Sequence, residues 1–233
     1  MRIGILQTGA VLEDIQPRFG DYPAMFVDLL SGDAHRRPSF STYRVREGEL
    51  PEPAACDAYV ITGSRHSVYE DHPWIVELAE FVGNTMAGGQ KIVGICFGHQ
   101  LIAHYFGGRT EPASVGWGVG VHGVEIVSRE RWMDPHQGSV SMLSSHKDQV
   151  VALPRGARRV ASSAFCPNAA FAIGDVAMTW QGHPEFEKDY AETLMRRREA
   201  LLGPETLAAG LASLDNEIDR ALLARWILNF IYD

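Results

Sequence analysis

The sequence predicts an α/β fold with a doubly wound, mainly parallel sheet. Four short apolar runs, rich in β-branched residues, have the length and composition of strands that are buried on both faces. Between these runs lie patterns with apolar residues on one helical face, bounded by glycine or proline. Strands that alternate with helices favour a parallel sheet with helices on both of its faces.

The start and stop signals of these elements set their predicted bounds. Proline opens the first two helices, and glycine pairs follow the second and the third. The predicted strands cover residues 3–6, 58–62, 92–95 and 176–180, and the predicted helices cover residues 23–30, 73–86 and 101–106.

The middle of the chain, from about residue 115 to residue 160, has a different pattern. Its short runs alternate or are β-branched, which is typical of antiparallel strands. They cover residues 119–122, 124–127, 139–144 and 149–153. We expect a small antiparallel excursion from the main sheet.

A helical tail is predicted from Lys188 onward. One helix stops at Gly203-Pro204, and the last helix carries an apolar stripe formed by Ile218, Leu222, Trp226 and Phe230. We expect this stripe to pack on the parent domain; the alternative is a homodimer contact. The run Arg196-Arg197-Arg198 is interpreted as a solvated helix face. The predicted organisation is one domain over residues 1–190 and a helical extension over residues 191–233, packed on that domain.

The composition is that of an ordinary globular protein, with 45% hydrophobic and 21% charged residues among 233. A net charge of −8 excludes a general electrostatic attraction to nucleic acid or to an anionic membrane. The three cysteines are a poor disulfide framework and fit a reducing compartment. The first apolar run is too short for a signal peptide, and no run approaches the ~20 residues of a membrane span. We therefore expect a cytoplasmic protein.

The strongest chemical signal is Cys96, which directly follows a predicted strand and precedes a helix. This is the layout of a nucleophile elbow, and Gly94 and Gly98 leave room for so sharp a turn. A helix N-terminus favours the thiolate, the reactive form of cysteine. The alternative is a buried structural cysteine, which is the preferred interpretation for Cys56 and Cys166 because neither lies in an elbow.

A second signal follows the last predicted strand, where His183 and Glu185 are two residues apart. In an extended chain such residues point to the same side, so the carboxylate can orient the imidazole. A nucleophile needs a base, and the base needs an orienting group. The alternative is a capped strand end with an exposed glutamate.

Together, the segments at residues 94–100 (Gly-Ile-Cys-Phe-Gly-His-Gln) and 182–185 (Gly-His-Pro-Glu) resemble the two signatures of class I glutamine amidotransferases. The sequence is most similar to the glutaminase domain of GMP synthase and to its stand-alone, γ-glutamyl peptidase-like relatives. The resemblance extends from Met1 to about Tyr190. It implies a flavodoxin-like sheet and a catalytic triad of Cys96, His183 and Glu185.

The resemblance also assigns the oxyanion hole. The loop after the second predicted strand supplies one backbone N–H from Gly63 or Ser64, and Phe97, next to the nucleophile, supplies the other. Many relatives have Gly-Gly where this chain has Gly63-Ser64. Without the resemblance, Gly63 is equally well an ordinary glycine between a strand and a loop.

Further positions match the family's glutamine-contacting residues. The stretch with Ser145, His146 and Asp148 resembles the segment that holds the α-amino and α-carboxyl groups, largely through its backbone. Gln100 matches another contact with glutamine. From residue types alone, the stretch at residues 145–149 is a polar hairpin loop.

Two other patterns are rejected. Gly118 to Gly123 fits Gly-x-Gly-x-x-Gly, but β-branched residues follow it instead of a helix, so it is interpreted as a strand that borders the cleft together with Trp117. His99 and His104 fall on different helix faces, and His66 and His72 bracket a loop. The sequence therefore predicts no metal site.

The function expected from this resemblance is hydrolysis of the glutamine side-chain amide through a γ-glutamyl thioester, with no cofactor. The alternatives are a γ-glutamyl hydrolase or peptidase that acts on γ-glutamyl compounds, and a non-catalytic regulatory protein of the same fold. Nothing in the sequence resembles a synthetase domain or a phosphate-binding loop. A separate ammonia-accepting synthetase subunit is the partner expected for the first function.

Overall fold

A nine-stranded sheet with helices on both faces forms the centre of the protein. The computed structural model describes residues 1–32 and 36–233. The strands are β1 (Arg2–Gln7), β2 (Ser39–Arg44), β3 (Ala58–Ile61), β4 (Lys91–Ile95), β5 (Arg109–Pro112), β6 (Gly118–Ile126), β7 (Ser139–His146), β8 (Asp148–Ala152), β9 (Ala157–Ser162), β10 (Ala170–Ile173) and β11 (Ala177–Trp180). The helices are α1 (Gln16–Phe19), α2 (Tyr22–Leu30), α3 (Pro73–Ala87), α4 (Phe97–Tyr105), α5 (Lys188–Arg197), α6 (Glu199–Leu202), α7 (Pro204–Ser213) and α8 (Arg220–Tyr232).

The parallel half of the sheet confirms the predicted fold class. The strand order is β2-β1-β3-β4-β11-β10-β9-β6-β7, and the first five strands pair in parallel. Renumbered within the parallel set, this is the 2-1-3-4-5 order of flavodoxin-like folds. The four predicted buried strands are β1, β3, β4 and β11. The sequence missed β2, an edge strand without fully buried residues whose apolar residues alternate with serine, threonine and arginine.

Two apolar clusters hold the helices on opposite faces of the sheet. Residues of β1 alternate between them: Ile3 and Ile5 pack with α2 and α8, whereas Leu6 packs with α3 and α4. Each fully buried side chain of this kind contributes about 1.5–3 kcal/mol relative to the exposed state. The central strands are therefore anchored on both faces, which fixes the positions of the loops at their carboxyl ends.

The middle of the chain continues the main sheet rather than leaving it. β6 pairs with β7 along its whole length and joins the sheet through β9. Only β8 leaves, to form a two-stranded sheet with β5. β6 approaches α7 very closely: Gly120 has φ +82°, and a Cβ atom there would lie 2.6 Å from the carbonyl oxygen of Gly210.

Most of the apolar stripe of the last helix is buried within the chain. Trp226 stacks on Trp180 and meets Trp132 edge-on. Phe230 lies in the same cluster, whereas Ile218 precedes the helix. The boundary at residue 190 stays a prediction. Among the helices of the described residues, none has the length and apolar composition needed to cross a membrane.

Candidate active site

The three predicted catalytic side chains follow two neighbouring strands of the parallel sheet. Cys96 directly follows β4, and His183 and Glu185 lie just beyond β11. The backbone N–H of Cys96 donates to the carbonyl oxygen of Trp180, the last residue of β11 (2.9 Å). The Gly63 loop follows β3, which pairs with the other edge of β4. These loops meet at the carboxyl edge, where ligands bind in doubly wound folds.

The backbone at Cys96 has the strand–turn–helix geometry of a nucleophile elbow. Cys96 has φ 51° and ψ −95°, the one positive φ at a non-glycine residue in the described part of the chain. A Cβ atom at Gly94 would lie 2.7 Å from the backbone of Gly98, and one at Gly98 would lie 2.7 Å from Cβ of Ile61. The turn is therefore so tight that both neighbouring positions need glycine.

His183 is fixed by three independent contacts. Its Nδ1 lies 2.8 Å from Oε1 of Glu185, and its backbone N–H donates to the carbonyl oxygen of Leu143 (2.7 Å). Its ring lies flat on the ring of Phe186. Glu185 is only 1% exposed. The alternative of a strand end with an exposed glutamate is therefore wrong.

The electrostatics of the site favour the charged form of His183. Burial alone would lower the pKa of His183. The negative charges of Glu185 and of the Cys96 sulfur, with hydrogen bonds to both, outweigh burial and raise that pKa to about 10. The imidazole is therefore an imidazolium at neutral pH and can donate a proton.

The loop predicted to form the oxyanion hole lies against the triad. A Cβ atom on Gly63 would lie 2.8 Å from Cε1 of His183 and 3.7 Å from Cβ of Cys96. The hydroxyl of Ser64 donates to the carbonyl oxygen of Thr8 (2.8 Å), so this side chain anchors the loop. Phe97 begins α4, and the first N–H groups of a helix have no partner within it.

Thr8 supports the same loop, although no motif in the sequence indicates this. The Thr8 hydroxyl lies 3.0 Å from the carbonyl oxygen of Thr62 and 3.1 Å from that of Gly63. Its only sequence signal is its position directly after β1, at the same edge of the sheet.

The predicted substrate residues form a connected network beside the triad. Nε2 of Gln100 donates to the carbonyl oxygen of Asp148 (2.9 Å) and to Oε1 of Gln181 (3.1 Å). Nδ1 of His146 lies 3.2 Å from the same carbonyl oxygen of Asp148. Burial, with the nearby histidines, lowers the pKa of His146 to about 3, so its ring is neutral.

The carboxylate of Asp148 accepts hydrogen bonds from the hydroxyls of Ser67 and Tyr69. Both groups lie on the loop that follows Gly63, so Asp148, the first residue of β8, fastens that loop to the start of β8.

Arg198 is a second cleft residue that no pattern in the sequence indicates. We interpreted Arg196-Arg197-Arg198 as one solvated face, but only Arg196 and Arg197 are exposed. Arg198 follows the end of α5, donates from Nη1 to Oγ of Ser145 (3.0 Å), and lies over the ring of Trp117. Its inward direction depends on the break between α5 and α6, which the charge run does not signal.

These residues surround a cleft of about 370 Å³. Cys96, His183 and Gly63 line it, together with Trp117 and Arg198. Trp117, which directly precedes β6, is thus at the cleft as predicted, whereas among the described lining residues none belongs to β6 itself. The volume falls in the range of small-molecule sites.

One group of side chains beside the cleft has the donor types of a metal site. Glu70 Oε2 lies 2.6 Å from Nδ1 of His66 and 3.1 Å from Nε2 of His72. Hydrogen bonds from the Ser67 backbone and both imidazoles, opposed by burial, lower the pKa of Glu70. Two imidazoles and a carboxylate are possible zinc ligands. From the sequence alone, the two histidines only bracket a loop.

The other two cysteines are buried away from an elbow. Cys56 and Cys166 are free thiols, and burial raises the pKa of Cys166 to about 12. Cys166 is therefore a neutral thiol at neutral pH.

Comparisons with known proteins give consistent results. The family model described as "Glutamine amidotransferase class-I" matches residues 42–201. Gamma-glutamyl peptidase 3 of Arabidopsis thaliana is 32% identical over 186 residues, which cover 76% of this chain and 74% of that protein. GMP synthase [glutamine-hydrolyzing] of Porphyromonas gingivalis is 30% identical over 139 residues, 59% of this chain and 26% of that protein. The crystal structure of a glutamine amidotransferase from Thermotoga maritima has a TM-score of 0.77 at 20% identity, covering 100% of this chain and 99% of that one, and is similar in fold.

Proposed function

Because the chain belongs to the class I glutamine amidotransferase family, we propose that it hydrolyses a γ-glutamyl amide bond with Cys96 as nucleophile. The observation that carries the proposal is the buried His183–Glu185 pair, at 2.8 Å, beside the strained elbow of Cys96. A nucleophile, a proton carrier and an orienting carboxylate are the three parts that covalent acyl transfer requires.

In the first half of the reaction, the Cys96 sulfur attacks the side-chain carbonyl carbon. The negative charge that grows on the carbonyl oxygen is stabilised by the backbone N–H groups of Gly63 or Ser64 and of Phe97. Each such donor contributes about 3–4 kcal/mol to the transition state. The imidazolium of His183 gives its proton to the leaving nitrogen, the C–N bond breaks, and a γ-glutamyl thioester remains on Cys96.

In the second half, water replaces the leaving group. The now neutral His183 takes a proton from this water as it attacks the thioester carbonyl. The C–S bond breaks, glutamate leaves, and the thiolate–imidazolium pair is restored. Glu185 keeps the imidazole oriented in both halves. The neighbouring Gln100, Ser145, His146 and Asp148 are proposed to hold the γ-glutamyl group, Asp148 by positioning the loop beside it.

Two substrate classes fit this chemistry. With glutamine as substrate, the leaving group is ammonia, and a separate synthetase subunit is the acceptor. With a γ-glutamyl peptide, the leaving group is an amino acid or a peptide, and no acceptor is needed. Two observations favour the second class as a candidate. Some relatives are named gamma-glutamyl peptidase, and Arg65, Lys147 and Arg198 place three positive charges at the cleft.

The test is glutamate release by the purified chain from glutamine and from a γ-glutamyl dipeptide. We expect Cys96→Ser to abolish release while circular dichroism stays unchanged. We expect Glu185→Gln to lower kcat strongly, whereas Glu187→Gln, the matched change at an exposed glutamate, has little effect. A Cys96→Ser variant that retains the parent rate would overturn the assigned nucleophile. The third alternative, a non-catalytic protein, predicts no labelling of Cys96 by a glutamine-mimicking diazoketone.

A further inference from the structure

The cleft carries more positive charge than its own residues neutralise. Arg65, Lys147 and Arg198 line it, and Asp148 is its one carboxylate among the described lining residues. That carboxylate already accepts hydrogen bonds from Ser67 and Tyr69. In the described part of the chain, none of the three cations has a carboxylate within ion-pair distance. The whole chain has a net charge of −8, so this positive site is a local feature.

Arg198 is the cation with the most defined geometry. Its Nη1 donates to Oγ of Ser145, and its guanidinium carbon lies 5.9 Å from the ring centroid of Trp117. A guanidinium has five N–H donors in a planar fork, and only one is used here. A fork held in place on an aromatic face is suited to a carboxylate, which it binds through two parallel hydrogen bonds.

The charge balance indicates which carboxylate this is. The γ-glutamyl group carries one ammonium and one carboxylate, so glutamine is neutral overall. A γ-glutamyl amino acid has a second carboxylate on the leaving group and a net charge of −1. The proposed thiolate–imidazolium pair of Cys96 and His183 is neutral as a unit, so three cations and the carboxylate of Asp148 leave a net charge of +2 in the cleft. This charge fits the second substrate better than the first.

The surface next to Arg198 fits an amino-acid leaving group. Leu194 and Leu201 line the cleft with Trp117, and Leu201 is 58% exposed at its rim. An exposed leucine beside a cation offers apolar contact to a side chain and charge to a carboxylate. Ammonia, the leaving group of glutamine, uses neither.

We infer that Arg198 is a specificity residue that binds the carboxylate of the leaving group, and that the substrates are γ-glutamyl amino acids or peptides. The inference rests on the proposed hydrolysis at Cys96 and adds the class of leaving group. In this inference the triad cleaves the γ-glutamyl amide bond, and Arg198 selects the leaving group on the nitrogen side of that bond.

The kinetic test compares two substrates that differ only in the carboxylate: γ-glutamyl-leucine and γ-glutamyl-leucinamide. We expect the native protein to have about a 10- to 100-fold higher kcat/KM for the acid, mainly through a lower KM. A factor of this size corresponds to the free energy of a hydrogen bond between charged groups. In Arg198→Gln, we expect this acid-to-amide ratio to fall to about one. Arg198→Lys, which keeps the charge but loses the fork, should give an intermediate ratio. Arg196→Gln changes an exposed arginine of the same run and should keep the native ratio.

Two kinetic outcomes would overturn the inference. One is a native protein that hydrolyses the acid and the amide equally well. The other is an Arg198→Gln variant that loses the same factor on both substrates, because Arg198 would then act on the γ-glutamyl group that they share.

A binding measurement separates this inference from the proposed reaction. Calorimetry with Cys96→Ala should show tighter binding of the acid than of the amide, and Cys96→Ala/Arg198→Gln should lose that difference. If the difference is present but the native protein hydrolyses nothing, the reaction is wrong and the carboxylate site stands. If hydrolysis occurs without the difference, the reaction stands and the carboxylate site is wrong.

Discussion

The imidazole of His183 lies parallel to the ring of Phe186, with centroids 3.9 Å apart and planes inclined by only 6°. Glu185 holds the same imidazole at Nδ1. The hydrogen bond prevents rotation within the ring plane, and the stacked ring prevents tilting out of it. The segment that follows β11 thus provides the imidazole and both of the groups that orient it.

Replacing Phe186 by leucine tests the stacked contact. The hydrogen bond to Glu185 stays, but the flat face is lost, so the imidazole tilts relative to the bond that is cleaved. We expect kcat to fall about 10- to 100-fold, as for other small misplacements of catalytic groups. Steady-state kinetics would measure this, with Phe19→Leu as a control that removes a ring contact to Tyr190 instead. An unchanged kcat would mean that Glu185 alone orients His183.

Adding one methyl group at Gly63 tests the closeness of the oxyanion loop to the triad. The new Cβ atom would lie 2.8 Å from Cε1 of His183, so the ring or the loop must move. We expect Gly63→Ala to lower kcat/KM at least about 100-fold and to destabilise the fold by about 1–3 kcal/mol. The control is Gly138→Ala, because a Cβ atom there meets nothing within 4 Å. Full activity of Gly63→Ala would contradict the close contact.

The backbone at Cys96 predicts an inverted order of stability between two variants. At ordinary buried positions an alanine variant is more stable than a glycine variant, by about 0.5–1 kcal/mol. At φ 51° and ψ −95°, an L-residue stores about 1–3 kcal/mol of strain that glycine avoids. We therefore expect Cys96→Gly to unfold at a higher urea concentration than Cys96→Ala. The same pair of changes at Cys166, where φ is not positive, should show the ordinary order. If alanine is the more stable at Cys96 too, the elbow is not strained.

The alkaline limb of the pH profile reports on the charge beside His183. The pKa of His183 is raised to about 10, so the proton needed by the leaving group is present at neutral pH and lost as the pH rises through that value. In Glu185→Gln the negative charge that raises the pKa of His183 is lost. Burial, which lowers that pKa, is then opposed less, so the pKa of His183 falls. We expect the alkaline loss of kcat/KM to occur near pH 10 in the native protein and at lower pH in the variant. An identical alkaline limb in both proteins would exclude His183 as the group that titrates there.

The sequence predicts the centre of the fold better than its edges. Continuous apolar runs identify β1, β3, β4 and β11 because these strands are buried on both faces. β9 contains Arg158 and Arg159, which are exposed, so its residues do not show the pattern of a buried strand. The elbow at Cys96 was predictable because the strand, the glycines and the helix are all local in sequence.

Side-chain contacts between segments that are far apart in the sequence could not be predicted. Whether a given arginine of the 196–198 run faces solvent or the cleft depends on how α5 ends against β7. The hydrogen bonds from Ser67 and Tyr69 to Asp148 join residues about eighty positions apart, without a sequence pattern that signals them. The catalytic roles of Cys96, His183 and Glu185 stay predictions until the variants above are measured.

The pairing of β4 with β11 determines when the proposed site can be completed during synthesis of the chain. β4 is made long before β11, and the imidazole arrives only with the segment that follows β11. Under the proposed mechanism, a nascent or truncated chain that ends before residue 183 therefore has the nucleophile without its proton carrier. We expect such a chain to be inactive as a hydrolase.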